Sequence, residues 1–383
     1  MRWSAAVRGL AGRVWYGGHW LGVLLSPLSA VYRVGLNARR LARRRLPAKP
    51  LAVPVVVVGN LTVGGTGKTP LVIHLAKLLQ ARGRRVGVVS RGYRARVAGF
   101  PHRVGDGDDA FAVGDEPKLI AQETGCPVVI APRRREAALV LARHCDVEVV
   151  LSDDGLQHSA LPRALEIVVV DGDRKFGNGR LLPAGPLREP VSRLDEVDYV
   201  VVNVGGNAGA MGAVHGDSAN PVAGGAGADD AVVNVGGNAE AGGDVGAGGA
   251  DPSSGAPQMS VRLSSFRHLV TGRREPVGHF GGQSVHACAG IGNPRRFFDS
   301  LACAGIEVRR HEFPDHHAWR VRDLLFDDGL PVVMTAKDGV KCAALAHSGA
   351  EALQPVWIAE TETRLDADFE KTLLNRIEAL IHG

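Results

Sequence analysis

Short runs of branched apolar residues alternate with segments of helical apolar spacing along the first half of the chain. Residues 55–58 are four consecutive valines. Further apolar runs occupy residues 85–90, 128–131, 147–152, 167–170 and 199–203. After the first run, leucines recur with a helical period over residues 71–79. Continuous apolar strands separated by helices are typical of a parallel sheet covered on both faces. The pattern therefore predicts an α/β fold.

The chain changes character at residue 204. Residues 204–257 are dominated by Gly, Ala, Asn and Asp, and the string VVNVGGNA occurs at 201–208 and again at 232–239. Such a segment cannot bury enough apolar surface to offset its ordering entropy, so it predicts a disordered insertion. Ordinary composition resumes near residue 258.

The second half repeats the strand and helix pattern on a smaller scale. Strands are predicted at 285–291, 308–313 and 331–335, and helices at 295–304 and 368–381. They predict a second, smaller α/β domain. The predicted organisation is an N-terminal segment at 1–45, a first domain at 46–203, the insertion at 204–257 and the second domain at 258–383.

A glycine-rich loop follows the first strand and opens the first long helix of that domain. Its residues are Thr62, Val63, Gly64, Gly65, Thr66, Gly67, Lys68 and Thr69. The pattern G-x-x-x-x-G-K-[ST] is met except at its first position, which is Thr62. Loop N–H groups, the helix N-terminus and the lysine form a phosphate cradle, and the threonine hydroxyl can ligate Mg²⁺. The first domain is therefore predicted to be a P-loop NTPase-type parallel sheet that binds a nucleoside triphosphate.

Two carboxylates, Asp153 and Asp154, end the apolar run at 147–152. An acid at this place in a P-loop domain holds Mg²⁺ directly or through water. Many strands end in aspartate, and the prediction gains weight from the preceding P-loop.

Charge and composition limit the class of protein and its compartment. The five cysteines are scattered without a C-x-x-C pair, which favours a reducing compartment. Net charge is +5, yet residues 1–50 hold ten Lys and Arg and no Asp or Glu. A basic N-terminus of this kind predicts an anionic partner, either nucleic acid or a phospholipid surface.

The neighbouring residues favour the phospholipid surface. Residues 14–32 carry no formal charge, have aromatic residues toward both ends, and are followed by an arginine cluster at 39–45. This pattern predicts a segment in a membrane interface on the cytoplasmic side. Gly, Ser and Pro interrupt it, so a spanning helix is not predicted. A cleaved signal peptide fits poorly, because it would export the nucleotide site. An amphipathic helix that covers the protein's own core remains an alternative.

Several motifs together resemble the tetraacyldisaccharide 4′-kinase family. They are GNLTVGGTGKTP, SRGY, GDEP, SDDGLQH, LLPAGPLREP, GIGNPRRFF, FPDHH and TAKDGVK, and they occur in family order over residues 50–345. The resemblance implies an ATP-dependent kinase that uses Mg²⁺ and phosphorylates a membrane-embedded acylated glucosamine disaccharide at the cytoplasmic face of the inner membrane. The insertion at 204–257 and Ala336, where the family has Glu, depart from the family pattern.

The resemblance also implies roles for site residues. Lys68 and the loop amides would hold the β- and γ-phosphates, and Thr69 with Asp153 or Asp154 would hold Mg²⁺. Asp115 would be the general base, with His316 orienting it or tuning its pKa. Arg188 would be the cation on the transferring group. The remaining active-site candidates, placed next to metal and phosphates, are Glu116, Gln157, His158 and Glu189.

Other readings of these residues stay open at the level of sequence. Asp115 and Glu116 could simply begin a helix, and Arg188 with Glu189 could form a surface ion pair. Lys175 and Arg180 could be loop charges or could meet the substrate's 1-phosphate.

A P-loop regulator or a nucleic-acid-dependent NTPase is the competing class. It would need a switch element or a basic groove with stacking aromatics, whereas aromatics make up 5% of the chain, and no N-K-x-D motif occurs. We expect no nucleic-acid partner and infer no obligate protein partner.

Overall fold

The computed structural model describes residues 5–44, 50–205, 251, 253–349 and 354–382. In chain order the described helices are α1 (Ala5–Tyr16), α2 (Leu21–Leu24), α3 (Ser26–Arg44), α4 (Lys68–Ala81), α5 (Ala110–Val113), α6 (Asp115–Thr124), α7 (Arg134–His144), α8 (Pro294–Cys303), α9 (Ala336–Gly349) and α10 (Ala367–His382).

One sheet contains all the described strands. They are β1 (Val55–Gly59), β2 (Val86–Ser90), β3 (His102–Arg103), β4 (Val128–Ile130), β5 (Val149–Asp153), β6 (Leu165–Asp171), β7 (Tyr199–Asn203), β8 (Gln258–His268), β9 (Arg274–Pro276), β10 (Ser284–Ala289), β11 (Glu307–Glu312), β12 (Val332–Thr335) and β13 (Val356–Leu365). Their order is β11-β10-β12-β13-β8-β7-β6-β1-β5-β2-β4-β3, with β9 paired to β8. Only β3–β4, β8–β9 and β8–β13 are antiparallel pairs among these strands. The predicted α/β fold with a mostly parallel sheet is confirmed.

The valine run of β1 explains why this strand is central. Side chains alternate between the two faces of a strand. Val56 and Val58 therefore enter one core, together with Leu75 of α4. Val55 and Val57 enter the core on the opposite face. Because both faces are covered by helices, each position in the strand must be apolar.

The halves of the molecule meet in the middle of the sheet. Strand β7 pairs with β8 through only two residue pairs, Val202 with Gln258 and Asn203 with Met259. The second half has its own core, which includes Phe266 and Phe298. Within this half, β10 is parallel to both β11 and β12.

The closing helix α10 packs differently from the sequence prediction. Its residues Phe369, Leu373 and Ile377 lie in the same core as Leu75 of α4. The predicted boundary placed this helix in the second domain, and the structure places it against the first core. The long antiparallel pair β8–β13 carries the chain back across the junction.

The N-terminal helices lie on the first half. Ser29 of α3 is buried and its hydroxyl donates to the Leu181 carbonyl at 2.8 Å. Tyr32 and Leu36 pack against the core that contains Leu187. Among the described helices, none combines the length and apolar content that crossing a bilayer requires. Most of the predicted insertion falls at residues 206–250, outside the described residues.

Candidate active site

A cleft of about 1560 Å³ lies between the two halves. From the first half it is lined by the P-loop, Asp115 and Arg188, and from the second half by residues 291–293, 314–318 and 335–337. The P-loop follows the carboxyl end of β1, where ligands of parallel sheets bind. The cleft thus brings sequence-distant polar residues together at one edge of the sheet.

The P-loop turns into α4 at a position that only glycine suits. Gly67 precedes the helix with φ +99°, and a Cβ there would lie 2.4 Å from the Asn203 Nδ2. Lys68, the first residue of α4, donates from Nζ to the Asn60 Oδ1 at 3.1 Å. Thr62 is buried and bridges to Leu187 outside the cleft. The rest of the loop faces the cleft, as a phosphate cradle requires.

The pKa values of the two carboxylates at the end of β5 are shifted in opposite directions. Asp153 is buried; its Oδ2 accepts from the Thr69 hydroxyl at 3.2 Å, and its Oδ1 has no hydrogen-bond partner. Burial first, and then the charge of Glu116, raise the pKa of Asp153 to about 7. Asp154 lies 3.5 Å from the Lys68 Nζ and accepts from the Arg188 Nη1 at 3.1 Å. Burial would raise the pKa of Asp154, but these two cations outweigh it and lower it.

An acid–histidine pair that joins the two halves lines the same cleft as the P-loop. His316 Nδ1 lies 2.8 Å from Asp115 Oδ2, so the two halves are joined by this hydrogen bond. His316 has φ +59°, an uncommon backbone conformation for a non-glycine residue. Lys337 and Lys341 lie 3.9 and 3.7 Å from the same carboxylate oxygen. Burial opposes ionisation of Asp115, but His316 and the lysines outweigh it and hold its pKa well below the usual range. Asp115 also begins α6, so the helix-start reading and the site reading both apply.

Three other predicted site residues, Gln157, His158 and Glu116, also line the cleft. Gln157 donates to the Asn60 carbonyl at 3.1 Å and receives the Arg188 guanidinium at 3.4 Å. His158 lines the cleft, and burial followed by the charge of Arg134 lowers its pKa to about 4. Glu116 lines the cleft and pairs with Lys337 at 2.8 Å.

Three charged residues from the sequence prediction lie away from the cleft. Glu189 is buried, accepts from Arg40 of α3 at 3.1 Å and does not line the cleft. Lys175 pairs with Asp251 at 2.6 Å, and Arg180 donates to the Gly22 carbonyl at 2.8 Å. Glu189 and Arg180 therefore anchor the N-terminal helices, and the reading of Lys175 and Arg180 as a phosphate subsite gains no support.

Two further cations of the cleft were missed at the level of sequence. Arg134 is fully buried, and burial lowers its pKa to about 10 while Asp154 acts in the opposite direction. Its Nε has no hydrogen-bond partner. Lys337 is the second, at the start of α9. Arg134 is the middle residue of three consecutive arginines, so the sequence carries no signal that singles it out.

An anion cradle and an acid–histidine pair that line one cleft are the arrangement of a phosphotransferase, and with this sheet they define a P-loop kinase. A family model described as tetraacyldisaccharide-1-P 4′-kinase matches residues 21–378. The chain belongs to this family.

Named relatives and a solved structure agree with this assignment. The tetraacyldisaccharide 4′-kinase of Alcanivorax borkumensis is 46% identical over 337 residues, which are 87% of this chain and 88% of the relative. That of Nitrosococcus oceani is 38% identical over 373 residues, 96% of this chain and 94% of the relative. The solved structure of LpxK from Aquifex aeolicus in complex with ATP is 26% identical, with a TM-score of 0.68, and the match covers 94% of this chain and 99% of that chain.

The family predicted from the motifs is confirmed. So are the kinase class, the use of ATP and the place in lipid A biosynthesis. The competing class, a nucleic-acid-dependent NTPase, has no support in these comparisons.

Proposed function

We propose that this chain transfers the γ-phosphoryl group of ATP to the 4′-hydroxyl of a tetraacylated glucosamine disaccharide 1-phosphate. The product is the 1,4′-bisphosphorylated lipid A precursor, lipid IVA. One observation carries the proposal: the P-loop and the Asp115–His316 pair, whose hydrogen bond joins the two halves, line the same cleft. In the transfer, the bond from the acceptor oxygen to the γ-phosphorus forms and the bond to the β–γ bridging oxygen breaks.

Lys68 and the P-loop amides are proposed to bind the β- and γ-phosphates. The Lys68 ammonium is already oriented by Asn60 and lies beside Asp154. Arg188 contacts the same carboxylate. We propose that the positive charges of these two residues stabilise the charge that develops on the transferring group.

Thr69 and Asp153 are proposed to hold Mg²⁺, with Asp154 beside them. The fit rests on the donor set, because a hydroxyl and a carboxylate are hard oxygen ligands of the kind that Mg²⁺ takes. The Asp153 Oδ1 is buried and has no hydrogen-bond partner, so this oxygen is available as a ligand. When bound, the ion would neutralise phosphate charge. Glu116 is held by Lys337, so it is proposed to act on this site through its charge.

Asp115 is proposed to accept the proton of the acceptor hydroxyl. His316 orients the carboxylate through its Nδ1 contact, and Lys337 and Lys341 keep it ionised. A carboxylate of low pKa is a weak base, which suits a loose transition state in which the hydroxyl proton leaves late. Because His316 comes from the second half, the base is complete only when both halves meet.

The acceptor is proposed to reach the cleft from an anionic bilayer surface, at the cytoplasmic face of the bacterial inner membrane. The support is the outward side of the N-terminal helices, which carries exposed large apolar residues. They are Trp20, Val23, Leu24, Leu28, Val31, Val34 and Leu41. The opposite side of α3 packs on the core through Tyr32 and Leu36. Both sequence readings of this segment thus find support, since one face covers the core and the other is free for lipid.

The test is incubation with γ-labelled ATP and an acylated glucosamine disaccharide 1-phosphate in detergent micelles. Label is expected in the lipid. Label that appears only in inorganic phosphate, with hydrolysis stimulated by RNA or DNA, would contradict the proposal.

A further inference from the structure

Two carbonyl groups of the P-loop are held by side chains from outside the loop. The Arg174 guanidinium donates from Nη2 to the Gly65 carbonyl at 2.5 Å. The Asn203 amide donates from Nδ2 to the Thr66 carbonyl at 2.9 Å. Neither contact belongs to the P-loop pattern itself, and Arg174 and Asn203 sit after β6 and at the end of β7.

These contacts determine where the loop amides point. In a trans peptide the C=O and the following N–H lie in one plane and point in opposite directions. Holding the Gly65 carbonyl on one side therefore directs the Thr66 N–H to the other side. The Thr66 carbonyl directs the Gly67 N–H in the same way. N–H groups of such a loop are what bind phosphate, so Arg174 and Asn203 orient two phosphate donors.

Arg174 is itself held by a buried carboxylate that also contacts the second half. Asp171 is 1% exposed and accepts from the Arg174 Nε and Nη2 at 3.1 and 2.8 Å. The other oxygen of Asp171 accepts from the Arg296 Nη2 at 3.0 Å. Asp171 thus bridges one arginine that contacts the P-loop and one arginine from helix α8.

Arg296 contacts the other orienting residue as well. Its Nη2 donates to the Asn203 carbonyl at 3.2 Å and to Asp173 at 2.8 Å. The turn before α8 also approaches the loop, because a Cβ on Gly292 would lie 3.4 Å from the Gly65 nitrogen. The Arg296 guanidinium therefore contacts Asp171, which holds Arg174, and also contacts Asn203. Through these residues it is connected to both side chains that hold P-loop carbonyls.

We propose that Arg296 is a positioning residue for ATP, acting through a clasp formed by Arg174, Asp171 and Asn203 that orients the Thr66 and Gly67 amides. The clasp makes the phosphate cradle depend on the position of the second half. It rests on the proposed function only in taking the P-loop as the ATP site. A latch that merely joins the halves would leave ATP affinity unchanged, and this difference is measurable.

The experiment compares Arg296→Met with Arg295→Met in the full chain. Arg295 is the adjacent residue of α8, its side chain is 84% exposed, and within the described part of the chain it forms a surface ion pair with Asp299. Titration of Mg·ATP, without lipid, is expected to show about tenfold weaker binding or more for Arg296→Met, because charge-assisted hydrogen bonds are lost. Arg295→Met should stay within about twofold of the parent. The KM for the lipid acceptor is expected to change by about twofold at most in both variants.

Two further variants keep the proposal falsifiable if Arg296→Met folds poorly. Arg296→Lys keeps the charge but not the forked geometry, and is expected to recover part of the ATP affinity. Arg174→Met should weaken ATP binding on its own. The double variant with Arg296→Met should bind ATP only slightly more weakly than the single variant of lower affinity. Equal loss toward ATP and lipid, or independent losses in the double variant, would overturn the clasp. ATP binding that weakens as expected while no label enters lipid would overturn the proposed function and leave the clasp standing.

Discussion

Charged side chains in the cleft are paired with partners from distant parts of the chain. Lys68 and Arg188 both meet Asp154, and Lys337 meets Glu116. Inside a partly buried cleft such pairs interact more strongly than on the surface. Each cation is thereby held in place before phosphate arrives, so little reorganisation is needed when charge develops.

Replacement of Lys68 by Ala is expected to lower kcat about 100-fold or more, because the positive charge that faces the transferring phosphates is lost. Label transfer to lipid at saturating ATP is the measurement. Lys77→Ala is the matched control, since Lys77 lies on the same helix and forms an exposed ion pair with Glu123. Near-normal turnover of Lys68→Ala would contradict the assignment of this lysine.

His158 is expected to make the protein acid-sensitive. Its pKa falls from 6.5 to about 4, because burial and then the charge of Arg134 disfavour the imidazolium. The unfolded chain therefore binds this proton more readily, and stability is lost as pH falls from 6.5 toward 4. His158→Gln should flatten the fall of Tm across this window. The exposed His144→Gln serves as the control, and an unchanged slope in His158→Gln would exclude this source of acid sensitivity.

At the scale of elements, the N-terminal helices have two different faces. Arg40 of α3 reaches the buried Glu189, and the Tyr32 hydroxyl donates to the Arg188 carbonyl at 3.0 Å. The docked face of α3 therefore touches the backbone of a cleft residue. The outward face carries Val31 and Val34, which are 71% and 68% exposed. Contiguous exposed apolar residues of this kind mark an interaction surface.

Replacing Val31 and Val34 by Asn should weaken binding to anionic vesicles and raise the KM for the lipid acceptor about tenfold, because apolar insertion is lost. The KM for ATP should hardly change. Vesicle sedimentation and steady-state kinetics are the measurements, and Val270→Asn, at an exposed valine of the second half, is the control. Parallel changes in both KM values would show that the pair acts on the protein's own packing.

Removal of residues 209–250 should leave activity and Tm nearly unchanged. These residues lie outside the described part of the chain, and the flanking strands β7 and β8 already pair directly. Shortening a long connection costs little free energy. Thermal unfolding and label transfer of the deletion variant test this, and failure to fold would show that the segment contributes structure.

At the scale of the whole molecule, the cleft is built from two halves that share one sheet. Asp115 and His316 are 201 positions apart in sequence and 2.8 Å apart in space. The base proposed above would need both halves, which would link chemistry to their correct approach and limit transfer to water.

The variants Asp115→Ala and His316→Ala should each lower kcat strongly, about 100-fold, and leave the Kd for ATP nearly intact. Since the residues act as one unit, the double variant should be little worse than the poorer single variant. Single-turnover rates and ATP titrations of all three decide this. A normal kcat in His316→Ala, or losses that multiply in the double variant, would return His316 to a structural role.

Local pattern accounts for much of the architecture. The valine run of β1, the loop from Thr62 to Thr69 and the helix α4 follow from apolar periodicity and backbone requirements that neighbouring residues supply. For the same reason, the three strands predicted in the second half agree with β10, β11 and β12 within about two residues at each end. The long strands β8 and β13 were missed, because they form an antiparallel pair in which many positions are polar and partly exposed.

Motif order in the sequence was sufficient for the family and the nucleotide, and most of the site residues that it singled out line the cleft. Which partners those residues have was decided only by the tertiary structure. Arg134 is buried while its arginine neighbours are more exposed, Glu189 contacts α3 instead of facing the cleft, and Arg296 of the second half contacts Asp171 of the first half. Each of these contacts joins residues far apart in the chain. Sequence periodicity reports only which face of an element is apolar, whereas the pairing of charges depends on how the elements are placed against each other.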